Sequence, residues 1–201
     1  MVTASTSIAL SLRARRLAWG TIAWNVIEAI VAIAAGSAAS SIALIGFGLD
    51  STVEVMSALV IVWQLHGSNE NRERAALKLI AISFYFLATY VTVQAVLELT
   101  SGTEPETSFV GVGLATASLI VMPALAVAKR KTGIDMRSDA VVADSNQTKL
   151  CAYLSAILLG GLIFNATLGW WWADPLAALA ISGLAVVEGR RAWNGETCDD
   201  C

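Results

Sequence analysis

Charge is scarce in this sequence. Only 14% of its 201 residues are Asp, Glu, Lys or Arg, while 56% are hydrophobic and the mean hydropathy is +0.66. Soluble domains carry about a quarter charged residues, so an ordinary soluble domain is excluded. Basic residues interleaved with aromatics, the footprint of a nucleic-acid binder, are missing as well, and no nucleic-acid partner is expected. Histidine occurs once, at His66, and cysteine three times, at Cys151, Cys198 and Cys201. Three connecting stretches, AAGSAASS, TSGTEPETS and NATLGWWWA, hold no Lys or Arg at all.

What remains is apolar. It resolves into six helix candidates of about 20 residues, the length needed to cross a bilayer core of about 30 Å at 1.5 Å per residue. They lie near 17–38, 41–65, 77–99, 108–128, 140–165 and 174–192. Arg13, Arg15 and Arg16 precede the first, which could pass for a signal peptide. Its apolar part is too long for one, and no small-residue cleavage site followed by a polar mature domain is present, so a retained helix is expected.

The basic residues set the orientation. Arg13, Arg15 and Arg16, then Arg72, Arg74 and Lys78, then Lys129, Arg130, Lys131 and Arg137, then Arg190 and Arg191 all fall on one side of a six-span chain. Cytoplasmic loops hold the Lys and Arg excess, so both termini are expected in the cytoplasm. Lys149 is the one basic residue left over, expected to be neutralised by an acid or to snorkel to the cytoplasmic interface. Trp170, Trp171 and Trp172 belong to an outer aromatic belt. Glu98 and Gln94, at the outer end of the third helix, are expected to face solvent or headgroups, and Pro123 to kink the fourth helix.

The expected protein is therefore all-α and polytopic, with six transmembrane helices in a bacterial-type inner or plasma membrane. A cytoplasmic basic N-terminus covers 1–16, the transmembrane domain 17–192 and a short cytoplasmic Cys/Asp tail 193–201. In a reducing cytosol, Cys198 and Cys201 are expected as thiols rather than a disulfide. A single CxxC without two further ligands cannot close a zinc site, so this tail, with Glu196, Asp199 and Asp200, reads as a disordered acidic end. His66 reads as an interfacial residue.

Within the second apolar run, SIALIGFGLDSTVEVMSALVIVW, stand Asp50 and Glu54, one turn apart on the same face. Asp50 is about ten residues, or ~15 Å, from the preceding loop, near the bilayer midplane. An acid at that depth costs about 2.5–3.5 kcal/mol even on mild scales, so the pair must face a partner or a wet cavity. The fifth apolar run is too short to span without its polar first half, ADSNQTK. Asp144, Gln147 and Cys151 fall there at i, i+3 and i+7, a single stripe, with Cys151 at a depth comparable to Glu54 and Asp144 nearer the cytoplasm. Carboxylates, an amide and a thiol converging in a dry place suit a divalent metal cation. The thiol favours zinc over magnesium or calcium. Asp50, Glu54, Asp144, Gln147 and Cys151 are the expected metal ligands.

At these residues the chain resembles the cation diffusion facilitators, proton-coupled exporters of zinc and related metals. SIALIGFGLDSTVE resembles that family's second helix, with Asp50 at its His or Asp and Glu54 at its final Asp, and ADSNQTKLC resembles its fifth, with Asp144, Gln147 and Cys151 at its Asp, His and Asp. WWWADP resembles the start of its sixth helix, and Asn25 and Glu28 in the first are also family-like. The resemblance covers roughly 15–192. It implies a six-helix cation-efflux bundle, export of zinc against protons by alternating access, and a homodimer. Phe47, where an upstream acid often occurs, Gln147 and Cys151 depart from the pattern, and no family-type cytoplasmic domain follows the sixth helix, as in a short divergent branch. No enzyme activity is expected. The rival readings are a non-transporting membrane sensor or assembly subunit and an intramembrane aspartyl protease. The protease reading is weakened because GFGLD has one residue too many for a Gly-x-Gly-Asp motif and no Tyr-Asp pair exists.

Overall fold

The apolar runs do form helices. The computed structural model describes residues 4–65, 70–101, 106 and 108–195, and these fold into α1 (Ala4–Ala39), α2 (Ile42–Gln64), α3 (Glu70–Ser101), α4 (Phe109–Met136), α5 (Asp139–Leu168) and α6 (Ala173–Asn194). Among them, α1 to α5 are long and apolar enough to cross a membrane. The protein is a helical integral membrane protein. His66, Cys198, Cys201, Glu196, Asp199 and Asp200 lie outside the described residues, as does most of the connection around Glu104.

Several helices outrun the apolar stretches that announce them. The sequence SLRARRLAW consists mostly of strong helix formers, so α1 continues through Arg13, Arg15 and Arg16 instead of starting after them. Likewise α4 does not stop at Ala128. It runs through Lys129, Arg130 and Lys131 to a left-handed cap at Arg137, whose N–H bonds the carbonyls of Gly133 and Ile134. Pro123 sits inside this unbroken helix. At the far end of α5 the left-handed turn falls on Gly169, with φ of 65°, where a residue without Cβ is at no disadvantage.

Two hairpins and a flanking pair make the bundle. α1 lies along α2, α4 along α5, and α3 along α6, while α1 meets α4 and α2 meets α5. Small residues set the closest seam. A Cβ added to Gly48 of α2 would stand 2.7 Å from Ile33 Cγ1 and 3.0 Å from the Ile33 backbone nitrogen of α1. The connections at one end are stitched together by hydrogen bonds: Glu106 N–H donates to Ala39 O over 2.7 Å, and Asp174 of α6 accepts from Ser41 Oγ at 2.7 Å and from Ala43 N at 2.8 Å. The carboxylate thus satisfies an amide at the start of α2, where four N–H groups lack partners within the helix. Trp170 and Trp172 stack at 5.0 Å beside this end, and both are exposed. Glu98 differs from expectation: it is buried rather than facing solvent, because α3 packs it near Asp174 and the start of α2.

Gly48 gives a direct test of the α1–α2 seam. Replacing it with Leu inserts side-chain atoms where backbone already stands, and overpacking of this kind costs about 1–3 kcal/mol or more. The expected outcome is a clear drop in the melting temperature of the purified protein in detergent. Gly20, where an added Cβ would meet no other part of the protein within 4 Å beyond its own turn of helix, should accept Ala with little change.

Candidate functional site

The polar residues of the spans face inward and meet on two levels. Asp50, Glu54, Ser51 and Ser57 line the buried face of α2, and Asp144, Gln147, Thr148 and Cys151 that of α5. From α1 comes the stripe Thr21, Asn25 and Glu28, at spacings of four and three. From α4 come Ser118 and Lys129. Asp50, Glu54, Ser118, Thr148 and Cys151 have no exposed surface, and Glu28, Asp144, Gln147 and Lys129 no more than 2%.

The first level gathers Glu28, Asp50 and Cys151. Glu28 Oε2 accepts from Ser51 Oγ at 2.8 Å and stands 3.8 Å from Cys151 Sγ, while Trp24 Nε1 reaches Oε1 at 3.3 Å. Asp50 lies beside the Cys151 thiol, Glu28 and Glu54, and its oxygens are approached by no donor other than that thiol. Ser118 stands beside Glu28 and Cys151, the groups its hydroxyl can reach. Asn25 Oδ1 and both polar atoms of Gln147, about a turn away along α1 and α5, lack partners. Buried polar groups are nearly always bonded, so these open atoms call for something to fill them.

The second level lies nearer the α4–α5 connection and contains a cation of the protein's own. Lys129 Nζ is 2.9 Å from Asp144 Oδ2, 3.7 Å from Glu54 Oε1 and 2.8 Å from Thr148 Oγ1. The Thr148 hydroxyl also contacts Glu54 Oε1, and Ser57 Oγ donates to Asp144 Oδ1 at 3.1 Å. One Glu54 oxygen, Oε2, is left without a partner.

Lys149, expected beside an acid or snorkelling to the interface, is exposed, its Nζ 5.6 Å from the Tyr153 ring centroid. The arrangement changes the picture drawn from the sequence in two ways. Lys129 is a deeply buried member of the site, not a residue of a cytoplasmic loop. And the five expected ligands are not one constellation: Asp50 and Cys151 keep company with Glu28, whereas Glu54 and Asp144 flank the ammonium. Among the described residues, no three His, Cys, Asp or Glu side chains are placed so as to hold a metal ion together. Lys129 and Glu28 carried a periodic signal all the same. The buried residues of α4, Gly111, Ala115, Ser118, Met122 and Ala126, continue by three to Lys129. Thr21, Asn25 and Glu28 continue by four to Ala32.

No known family model matches the chain.

Four carboxylates, those of Glu28, Asp50, Glu54 and Asp144, share this interior with one ammonium, a formal charge of −3 if all are ionised. Such an imbalance is not tolerated in a dry bundle, so protons or a bound cation must offset it.

Thr148 ties the level together, since its hydroxyl touches Lys129 and Glu54 at once. Thr148→Val keeps the shape and removes the hydroxyl, leaving buried charged groups short of a partner, a loss of about 1–3 kcal/mol. A lower melting temperature is expected, with Thr148→Ser close to the parent; equal melting of the Val and parent proteins would show that the hydroxyl is not holding the acids.

Proposed function

We propose that this protein exchanges a divalent metal cation, zinc above others, for protons across the membrane, exporting the ion from the cytoplasm. In this reading α6, 22 residues long and lying along α3, completes six spans, and the basic residues hold both termini in the cytoplasm. The observation that carries it is the state of Asp50: a fully buried carboxylate with no cation beside it, approached by no donor other than the Cys151 thiol and standing next to a second acid. Sulfur and oxygen donors together suit zinc.

The ion comes from the cytoplasm past Asp144 and settles at Asp50 and Cys151, with Glu28, Glu54 and Gln147 within a turn or so along their helices; these side chains close on it only as it binds, since no three of them are placed to hold it beforehand. Protons leave those groups as it binds, because carboxylates and thiols ligate in their deprotonated forms. Opening to the other side lets protons return and release the ion. The sign follows from the competition: at lower pH more sites hold protons, and zinc affinity falls.

Flux in proteoliposomes tests this. Zinc transport is expected to rise with a pH gradient directed against it and to be lost in Asp50→Asn, which keeps the shape but cannot offer a charge. Transport indifferent to the gradient removes the exchange, and transport intact in Asp50→Asn removes the site. Lys129 supports a second reading, a non-transporting membrane sensor or assembly subunit, because an ammonium already stands between Glu54 and Asp144. Zinc binding without flux in the purified protein would select it.

A further inference from the structure

The second level is a cation cage with a resident. Asp144 and Glu54 supply charge, Thr148 and Ser57 supply hydroxyl oxygens, and the four side chains come from α2 and α5. Lys129 enters from α4, a third helix, and places its ammonium among them. Glu54 keeps one oxygen, Oε2, unbonded though fully buried, so the ammonium does not exhaust the donors around it. Lysine suits this place better than arginine: its charge is a compact point on a flexible four-carbon stem, not a planar fork that demands a fixed geometry.

We propose that the Glu54–Asp144–Thr148 cage is a second cation station, and that the Lys129 ammonium is a tethered cation which occupies it in exchange with a divalent ion. The inference rests on the exchanger reading only for the identity of the ion; that Lys129 is a replaceable cation stands by itself. While the ammonium is seated, it offsets one of the two charges of Glu54 and Asp144 and occupies the space between them, and a metal can reach only the Asp50 level. When the ammonium swings out, two carboxylates become available to an arriving ion. Substrate and side chain therefore compete for the same oxygens. A tethered competitor limits how tightly the ion is held, and it covers the acids again as soon as the ion moves on.

A merely structural ion pair behaves differently, because no free ion can replace it. Purified full-length protein, Lys129→Ala and Lys129→Arg are titrated with zinc by calorimetry and melted with and without zinc. Lys129→Ala is expected to bind zinc about tenfold or more tightly than the parent, or to take up one further ion, since a charge-assisted competitor has been removed. Its melting temperature, lowered in the absence of metal, should climb with zinc by more than the parent's does. Lys129→Arg keeps the charge and should gain neither. The inference is overturned if Lys129→Ala binds zinc as the parent does, if Lys129→Arg gains as much as Lys129→Ala, or if Lys129→Ala fails to fold even when zinc is present throughout purification while Lys129→Arg folds. A parent protein that binds no zinc beside a Lys129→Ala that does keeps the tethered cation and removes the exporter. Zinc binding and flux in the parent, with Lys129→Ala unchanged, does the reverse.

Discussion

An ion pair inside a membrane protein is costly to assemble and more costly to break, and in this bundle it sits where three helices meet. Lys129 of α4 is 2.9 Å from Asp144 of α5 and 3.7 Å from Glu54 of α2. Removing one partner from such a group strands a charge in a low-dielectric interior, a loss of about 3–5 kcal/mol in comparable buried pairs. The positions of α2, α4 and α5 are therefore linked through a single nitrogen. Apolar packing alone would not fix this register, since in lipid there is little hydrophobic force between helices.

The rest of the polar interior follows from that anchor. With the ammonium committed to Glu54 and Asp144, Asp50 and Glu28 have no lysine or arginine among their contacts; Ser51 and Trp24 bond Glu28, and the Cys151 thiol lies between Glu28 and Asp50. The two levels are thus chemically different. The Lys129 level is partly compensated and hydrogen-bonded; the Asp50 level is rich in lone pairs and has no cation of its own. A mobile cation or protons would collect at the Asp50 level.

The helical skeleton was legible in composition. Runs such as IALIGFGLDSTVEVMSALVIVW are too apolar to be anything but spans, and their spacing is recovered in α2 to α5 to within a few residues outside the polar ends. The Asp50/Glu54 and Asp144/Gln147/Cys151 stripes were legible too, because a period of 3.6 places each set on one face, and every one of those residues is buried. Lys129 was hidden by its neighbours. KRK at the end of an apolar run looks like the positive flank of a span, and the orientation rule treats its three residues alike, whereas the helix continues and turns Lys129 inward while Lys131 faces out. Glu28 was marked only by the family resemblance and not as a ligand, since one acid in a first helix has no second carboxylate to form a stripe. How the five expected ligands divide between levels depends on the rotation of α4 about α5, which no single-helix pattern encodes.

The seams also say which contacts can move. Gly36 and Gly48 bring α1 close to α2, and Gly133 brings the end of α4 against Val142 of α5, so each hairpin is a tightly packed unit. Lys129 and Asp144 belong to the same hairpin and their contact is the short one; Glu54 belongs to the other hairpin and its contact is the long one. Any tilt of one hairpin against the other therefore leaves Lys129 with Asp144 and stretches or closes its approach to Glu54. At the opposite end, Asp174 joins α6 to Ser41 and Ala43, and Glu106 joins the α3–α4 connection to Ala39, which ties the hairpins there through neutral and charge-assisted hydrogen bonds. The bundle is laced at one end and held at the other chiefly by a charge that can choose between two acids.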